Sequence, residues 1–140
     1  MTTAIDTNVF VALWDESEIK DSFVRSALDA ALKRGNLVVA APVYTELLGF
    51  PSRTEAFLDH FFQETGIFVD WELKEPIWRA AGRAFQSYSA RRRRQRDPGP
   101  RRIMADFLIG AHALRNGFSL LTFDDRVYRA AFPQLTIVNA

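Results

Sequence analysis

The sequence predicts an α/β fold built on a mostly parallel sheet with helices on both faces. Short β-rich apolar runs recur between longer segments of helical spacing, the pattern of strand–helix–strand units. These runs are apolar without polar alternation, as strands covered on both faces are. The chain has 140 residues, 48% hydrophobic and 25% charged, which is enough to bury one core. A single domain over residues 1–140 is therefore expected.

"TTAID" reads as the first strand, and Thr7 or Asn8 suits the cap of the helix "TNVFVALW". Ile19, Phe23, Ala27, Leu28, Ala31 and Leu32 mark a helix over 19–34, closed by "RGN". "LVVAA" at 37–41 is a buried strand, and Pro42 fits the first turn of the helix "PVYTELLGF". "RTEAFLDHFFQET" continues as an amphipathic helix until Gly66, and "IFVDW" at 67–71 is a third strand. Ile77, Trp78, Ala81, Phe85 and Tyr88 mark a long helix over 74–90. "RRRRQRDPGPRR" at 91–102 breaks it, and "IMADFLIGAHAL" opens the next helix, which runs to "RNG". "FSLLTF" is a fourth strand, "DDRVYRAAF" a short helix and "LTIVN" a last strand.

Composition narrows the chemistry. Without cysteine there is neither a disulfide nor a thiolate-bound zinc, and His60 and His112 are too few for a histidine-rich centre. A metal here would sit on oxygen, which favours Mg²⁺ or Mn²⁺. No stretch reaches the ~18 apolar residues of a membrane span. "MTTAIDTNVF" lacks the basic start of a signal peptide, so a cytoplasmic protein is expected.

The net charge of +1 conceals an asymmetry: residues 1–75 carry 6 basic and 13 acidic side chains, residues 76–140 carry 12 and 4. Most of the basic excess lies in 91–102, with seven arginines. Such a run reads equally as a solvated loop or as a phosphate-binding patch, with Arg92, Arg94, Arg101 and Arg102 as RNA-binding candidates. It would also suit an acidic protein partner or a membrane surface.

Four acids stand in apolar company. Asp6 ends the first strand, Glu46 follows the second by one turn past Pro42, Asp106 lies within the helix after the arginines, and Asp124 follows the fourth strand. In a parallel sheet the strand carboxyl ends share one edge, where ligand crevices form. Each acid has a plain alternative. Asp6, Asp124 or Asp125 could be a helix cap, Glu46 a surface residue, and Asp106 a partner of Arg102. Four acids at one edge, with no Lys or His partner nearby in sequence, repel one another, and a divalent cation resolves that repulsion. Gly110, one turn past Asp106, leaves room either for a metal or phosphate or for close helix packing. His112 reads as core or surface, and Trp14, Trp71 and Trp78 as core or dimer-interface residues.

"AIDTNVF", "VYTELL", "ADFLIGAHAL" and "LLTFDD", in that order, resemble the four signatures of PIN-domain ribonucleases, and most closely VapC-type toxins of toxin–antitoxin pairs. The resemblance runs from residue 3 to the C-terminus. It implies a Rossmann-like α/β/α sandwich, homodimers, an RNA substrate and a cognate antitoxin that covers the site. It also implies that Asp6, Glu46, Asp106 and Asp124 are the catalytic, metal-binding acids, with Thr7, Asn8, Thr122 and Asp125 in support. The T-x-D spacing favours Asp124 over Asp125 as the fourth acid. The expected activity is metal-dependent hydrolysis of RNA phosphodiester bonds. A non-catalytic RNA- or protein-binding module of the same fold is the alternative. A receiver domain or aspartyl-phosphate phosphatase fits less well, because "DTN" lacks the second acid of a D-x-D pair and no Lys follows a late strand.

Overall fold

The computed structural model describes residues 1–15, 18–96 and 104–139. Its five strands are β1 (Thr2–Ile5), β2 (Asn36–Ala40), β3 (Phe68–Asp70), β4 (Ser119–Thr122) and β5 (Ile137–Asn139). The helices among these residues are α1 (Thr7–Leu13), α2 (Glu18–Arg34), α3 (Ala41–Leu47), α4 (Glu55–Thr65), α5 (Glu75–Gln95), α6 (Met104–Asn116) and α7 (Asp125–Ala131). Together they form a three-layer α/β/α sandwich.

The sheet has the order β3-β2-β1-β4-β5, and every neighbouring pair is parallel. The chain builds outward from β1 through β2 to β3. It then returns through α5 and α6 and lays β4 on the opposite side of β1. The winding direction therefore reverses between β1 and β4. At such a reversal the connecting segments leave on opposite faces, and a crevice opens at the strand carboxyl ends.

Strands β1, β2 and β4 supply the middle of the core with Ala4, Ile5, Val38, Val39, Leu120 and Leu121, all buried. Helix α6 packs against β4, α5 and α3 with an unbroken buried run from Phe107 to Ala113. That explains its lack of amphipathic spacing: a helix apolar all round is a covered one.

One expectation is corrected. The long helix does not stop at residue 90; α5 continues through Arg91–Arg94 to Gln95 and ends at Arg96 in a left-handed conformation (φ 49°). Arginine is a good helix former, and cations in a last turn offset the negative end of the helix dipole. The first four arginines of the run are thus helical, whereas the "DPGP" break, Arg101 and Arg102 lie outside the described residues. Of the tryptophans, Trp14 packs against the core, whereas Trp71 and Trp78 are 60% and 52% exposed, which leaves for them the interface half of the expectation.

Candidate active site at the carboxyl ends of β1 and β4

Asp6 is fixed where the winding reverses. Its N–H donates to the Leu121 carbonyl (3.0 Å), which extends the β1–β4 ladder by one residue. The side chain caps α1 and is only 4% exposed. Oδ1 accepts the Thr7 N–H (2.8 Å) and Oδ2 accepts the Thr122 hydroxyl (2.8 Å). The Thr7 hydroxyl in turn donates to Glu46 Oε1 (2.6 Å), so α1 and α3 are joined through two predicted site residues.

Thr122 is the hub on the β4 side. Its oxygen accepts the Asp124 N–H (2.9 Å) and a longer bond from Asn8 Nδ2 (3.4 Å). Asn8 Oδ1 accepts the Phe123 N–H (3.2 Å), which ties α1 to the turn after β4. Asp6, Thr7, Asn8, Glu46, Thr122 and Asp124 therefore share one hydrogen-bonded network. Asp125 does not join it through its carboxylate, which pairs with Arg129 Nε one turn on (3.2 Å) at the exposed side of α7.

Asp106 reaches the same region from α6, and the residue that reports it is Tyr128. The Tyr128 side chain is 1% exposed, and its hydroxyl is buried without a hydrogen-bond partner. Burial first, then the charges of Asp6 and Asp106, and further the Glu46 charge, hold that hydroxyl protonated far above the usual phenol range. The charges of three acids from three elements thus bear on one buried hydroxyl. Burial likewise pushes the Asp6 carboxyl up from 3.8. The Thr122 hydroxyl, the nearby Tyr128 hydroxyl and the Thr7 N–H oppose that rise, and the Glu46 charge adds to it. Tyr128 approaches Asp6 without making a well-formed hydrogen bond.

Gly110 takes its packing role. A Cβ there would stand 2.4 Å from Phe132 Cε2 and 3.1 Å from Tyr128 Cδ1, so the space belongs to two aromatic rings rather than to a ligand. Gly110→Ala should cost about 1–3 kcal/mol through overpacking, outweighing at most ~1 kcal/mol gained in helix propensity. Urea unfolding measures it, and a variant as stable as the parent would show that the rings yield freely.

The carboxylates do not form a ready-made ligand sphere: among the described residues no three acidic or histidine side chains stand close enough to hold a metal ion. The donor chemistry nevertheless fits a hard divalent cation, being carboxylate and hydroxyl oxygen throughout. His112 is no part of it. It is fully buried in α6, with Nε2 2.9 Å from Asp70 Oδ2, and so ties the centre of α6 to the edge strand β3. Of the arginine candidates, Arg92 lies over the Tyr88 ring (5.9 Å) and Arg94 is exposed in the last turn of α5.

Sequence reading passed over Tyr128, which appeared only as part of a short helix. The available signal was an aromatic with a polar tip four residues past Asp124, on the apolar side of α7.

The family model of the PIN domain matches residues 3–133, almost the whole chain. The chain belongs to the PIN domain family. This PIN domain is also similar in fold to several solved structures. VapBC2 from Rickettsia felis, bound to a DNA fragment from its promoter, matches with a TM-score of 0.72 at 18% identity, over 99% of this chain and 98% of that one. VapBC-1 from nontypeable Haemophilus influenzae matches with a TM-score of 0.68 at 20% identity, over 99% and 98%. FitAcB from Neisseria gonorrhoeae matches with a TM-score of 0.65 at 19% identity, over 98% and 96%. Among curated proteins none matches this sequence. Among the described residues no helix is long and apolar enough to cross a membrane.

Proposed function

We propose that this PIN domain is a Mg²⁺- or Mn²⁺-dependent endoribonuclease acting in the cytoplasm as the toxin of a toxin–antitoxin pair. The observation that carries the reading is the network at the winding reversal, where Asp6 and Glu46 are oriented by Thr7 and Thr122 while the Asp106 charge bears on the buried Tyr128 beside them. Asp6, Glu46, Asp106 and Asp124 would hold the ion, and Asp124 is preferred to Asp125 because its backbone is tied to Thr122 at the site, whereas Asp125 meets Arg129 on the exposed side of α7. A bound divalent ion lowers the charge cost of attack on a phosphodiester.

The chain's own residues prepare for that charge. The Thr7 N–H and the Thr122 hydroxyl keep the buried Asp6 carboxylate solvated by fixed donors, and the Thr7 hydroxyl sets the direction of Glu46. Arg94, and Arg92 beside Tyr88, place positive charge at the end of α5, where an RNA backbone would be steered. Arg101 and Arg102 would extend this basic stretch. The VapBC assemblies that share the fold support a cognate antitoxin for this chain, and a homodimer belongs to the same proposal.

A non-catalytic RNA- or protein-binding module is the second reading, and the separation of the carboxylates favours it. One experiment divides the two. Single-stranded RNA is incubated with the protein in Mn²⁺, Mg²⁺ or chelator, with Asp106→Asn in parallel. A nuclease cleaves only with metal and loses about a hundredfold or more in Asp106→Asn. RNA binding without metal, and no cleavage in any condition, establishes the module instead.

A further inference from the structure

We infer that the Tyr128 hydroxyl is a positioning donor of the acid site, held ready for the Asp6 carboxylate when the acids close on a divalent cation. The inference rests on the metal-site reading above and adds to it a residue that none of the four signatures contains.

The first observation is the hydroxyl itself. Native structures leave few buried polar atoms unpaired, because an unpaired donor has lost water and gained nothing. Tyr128 is among the largest fully buried side chains, and its hydroxyl has no hydrogen-bond partner. The packing of the ring does not need the oxygen: the contact with Gly110 is made through Cδ1. Phenylalanine would serve that contact equally well. The oxygen therefore has a use that the resting arrangement does not display.

The second observation is where the ring lies. It rests on Gly110, one turn past Asp106 on α6, and its own helix starts directly after Asp124. Asp6, Asp106 and Glu46 all act on the hydroxyl. A phenol at neutral pH can donate a hydrogen bond to a carboxylate oxygen but brings no charge, so it can orient an acid without competing with a cation.

The third observation is the spare capacity of Asp6. A carboxylate offers about four acceptor positions. Oδ1 takes the Thr7 N–H and Oδ2 takes the Thr122 hydroxyl, which leaves positions for both a cation and one more donor. Thr7 belongs to α1 and Thr122 to β4; a donor from α7 would fix the carboxylate plane from a third element. Groups that orient a metal ligand in this way commonly change metal affinity by about 10–100-fold.

The test is Tyr128→Phe, which keeps the ring and removes only the oxygen. Titration calorimetry with Mn²⁺ alone should show about a tenfold weaker affinity. The melting temperature of the metal-free variant should equal or exceed that of the parent, since an unpaired buried hydroxyl has been removed. A merely structural hydroxyl would lower the metal-free melting temperature and leave Mn²⁺ affinity unmoved. Either of those results overturns the inference. If the parent itself takes up no Mn²⁺, the metal-site reading has failed and this inference falls with it; parent uptake with an equal uptake by the variant overturns this inference alone.

Discussion

Asp6→Asn is expected to remove RNA cleavage and, at pH 7 without metal, to raise the melting temperature by roughly 2–4 °C, the shift that ~1 kcal/mol produces in a domain of this size. The two effects have one cause. Burial is the largest influence on the Asp6 carboxyl and pushes its pKa above 3.8, against the Thr122 hydroxyl, the nearby Tyr128 hydroxyl and the Thr7 N–H. The folded state thus holds this proton more tightly than the unfolded chain does. Stability from this group is fully present below 3.8 and is lost as pH rises through the folded value. At neutral pH the charged carboxylate is a cost, and asparagine removes the charge while keeping an oxygen that accepts one of the two bonds. The advantage of the variant should shrink as pH is lowered through the folded-state value of Asp6.

Metal should reverse the order. A cation that binds only the folded parent stabilises it by about 2.7 kcal/mol at a hundredfold excess over Kd, whereas the variant gains far less. Thermal melting with and without Mn²⁺, over a pH series from 7 down toward 3.8, reads both arms. A metal-free variant that melts below the parent at pH 7 would show that the Asp6 bonds outweigh its burial.

The order of elements was legible in the sequence because it depends on local spacing. "LVVAA" and "SLLTF" are apolar on both faces, and the stripe from Ile77 to Tyr88 repeats at helical intervals. The acids were legible for a similar reason, since a carboxylate between Ala105 and Phe107 stands out from its neighbours. Thr7, Asn8 and Thr122 were visible as site residues only through the family resemblance, and the structure gives each a specific bond.

What was not legible depends on residues far apart in the chain. The two uses of Gly110 were separable only by knowing that Phe132 and Tyr128 return across it. The pairing of His112 with Asp70 spans 42 residues and joins a helix to an edge strand that the sequence does not place together. The arginines failed differently: their charge suggested a loop, but their helix propensity carried α5 to Gln95. Tyr128 was hidden because its distinguishing feature is a hydrogen bond that is not made.

Phe10→Ala should have the largest effect on folding. Phe10 is fully buried in α1 and meets Trp14 at 5.9 Å, Phe61 at 5.9 Å and Phe62 at 5.6 Å between ring centroids, the last two edge to face. Truncating a buried phenylalanine costs about 3–5 kcal/mol in transfer and cavity terms. That is a large part of the ~5–15 kcal/mol that holds a typical domain together, and it predicts a fall in melting temperature of roughly 10 °C. The same change should weaken the site. Helix α1 is held at its start by the Asp6 cap and along its body by Phe10 against α4. Thr7, which orients Glu46, and Asn8, which holds the turn after β4, lie between those two anchors. Loosening the second anchor should let both donors drift, so Mn²⁺ affinity should fall even where the variant remains folded. Trp78→Ala provides the contrast, because half of that side chain is already in water. Urea unfolding of both variants decides the matter: a loss below ~1 kcal/mol for Phe10→Ala would mean that α1 is held chiefly by the acid network rather than by its aromatic anchor.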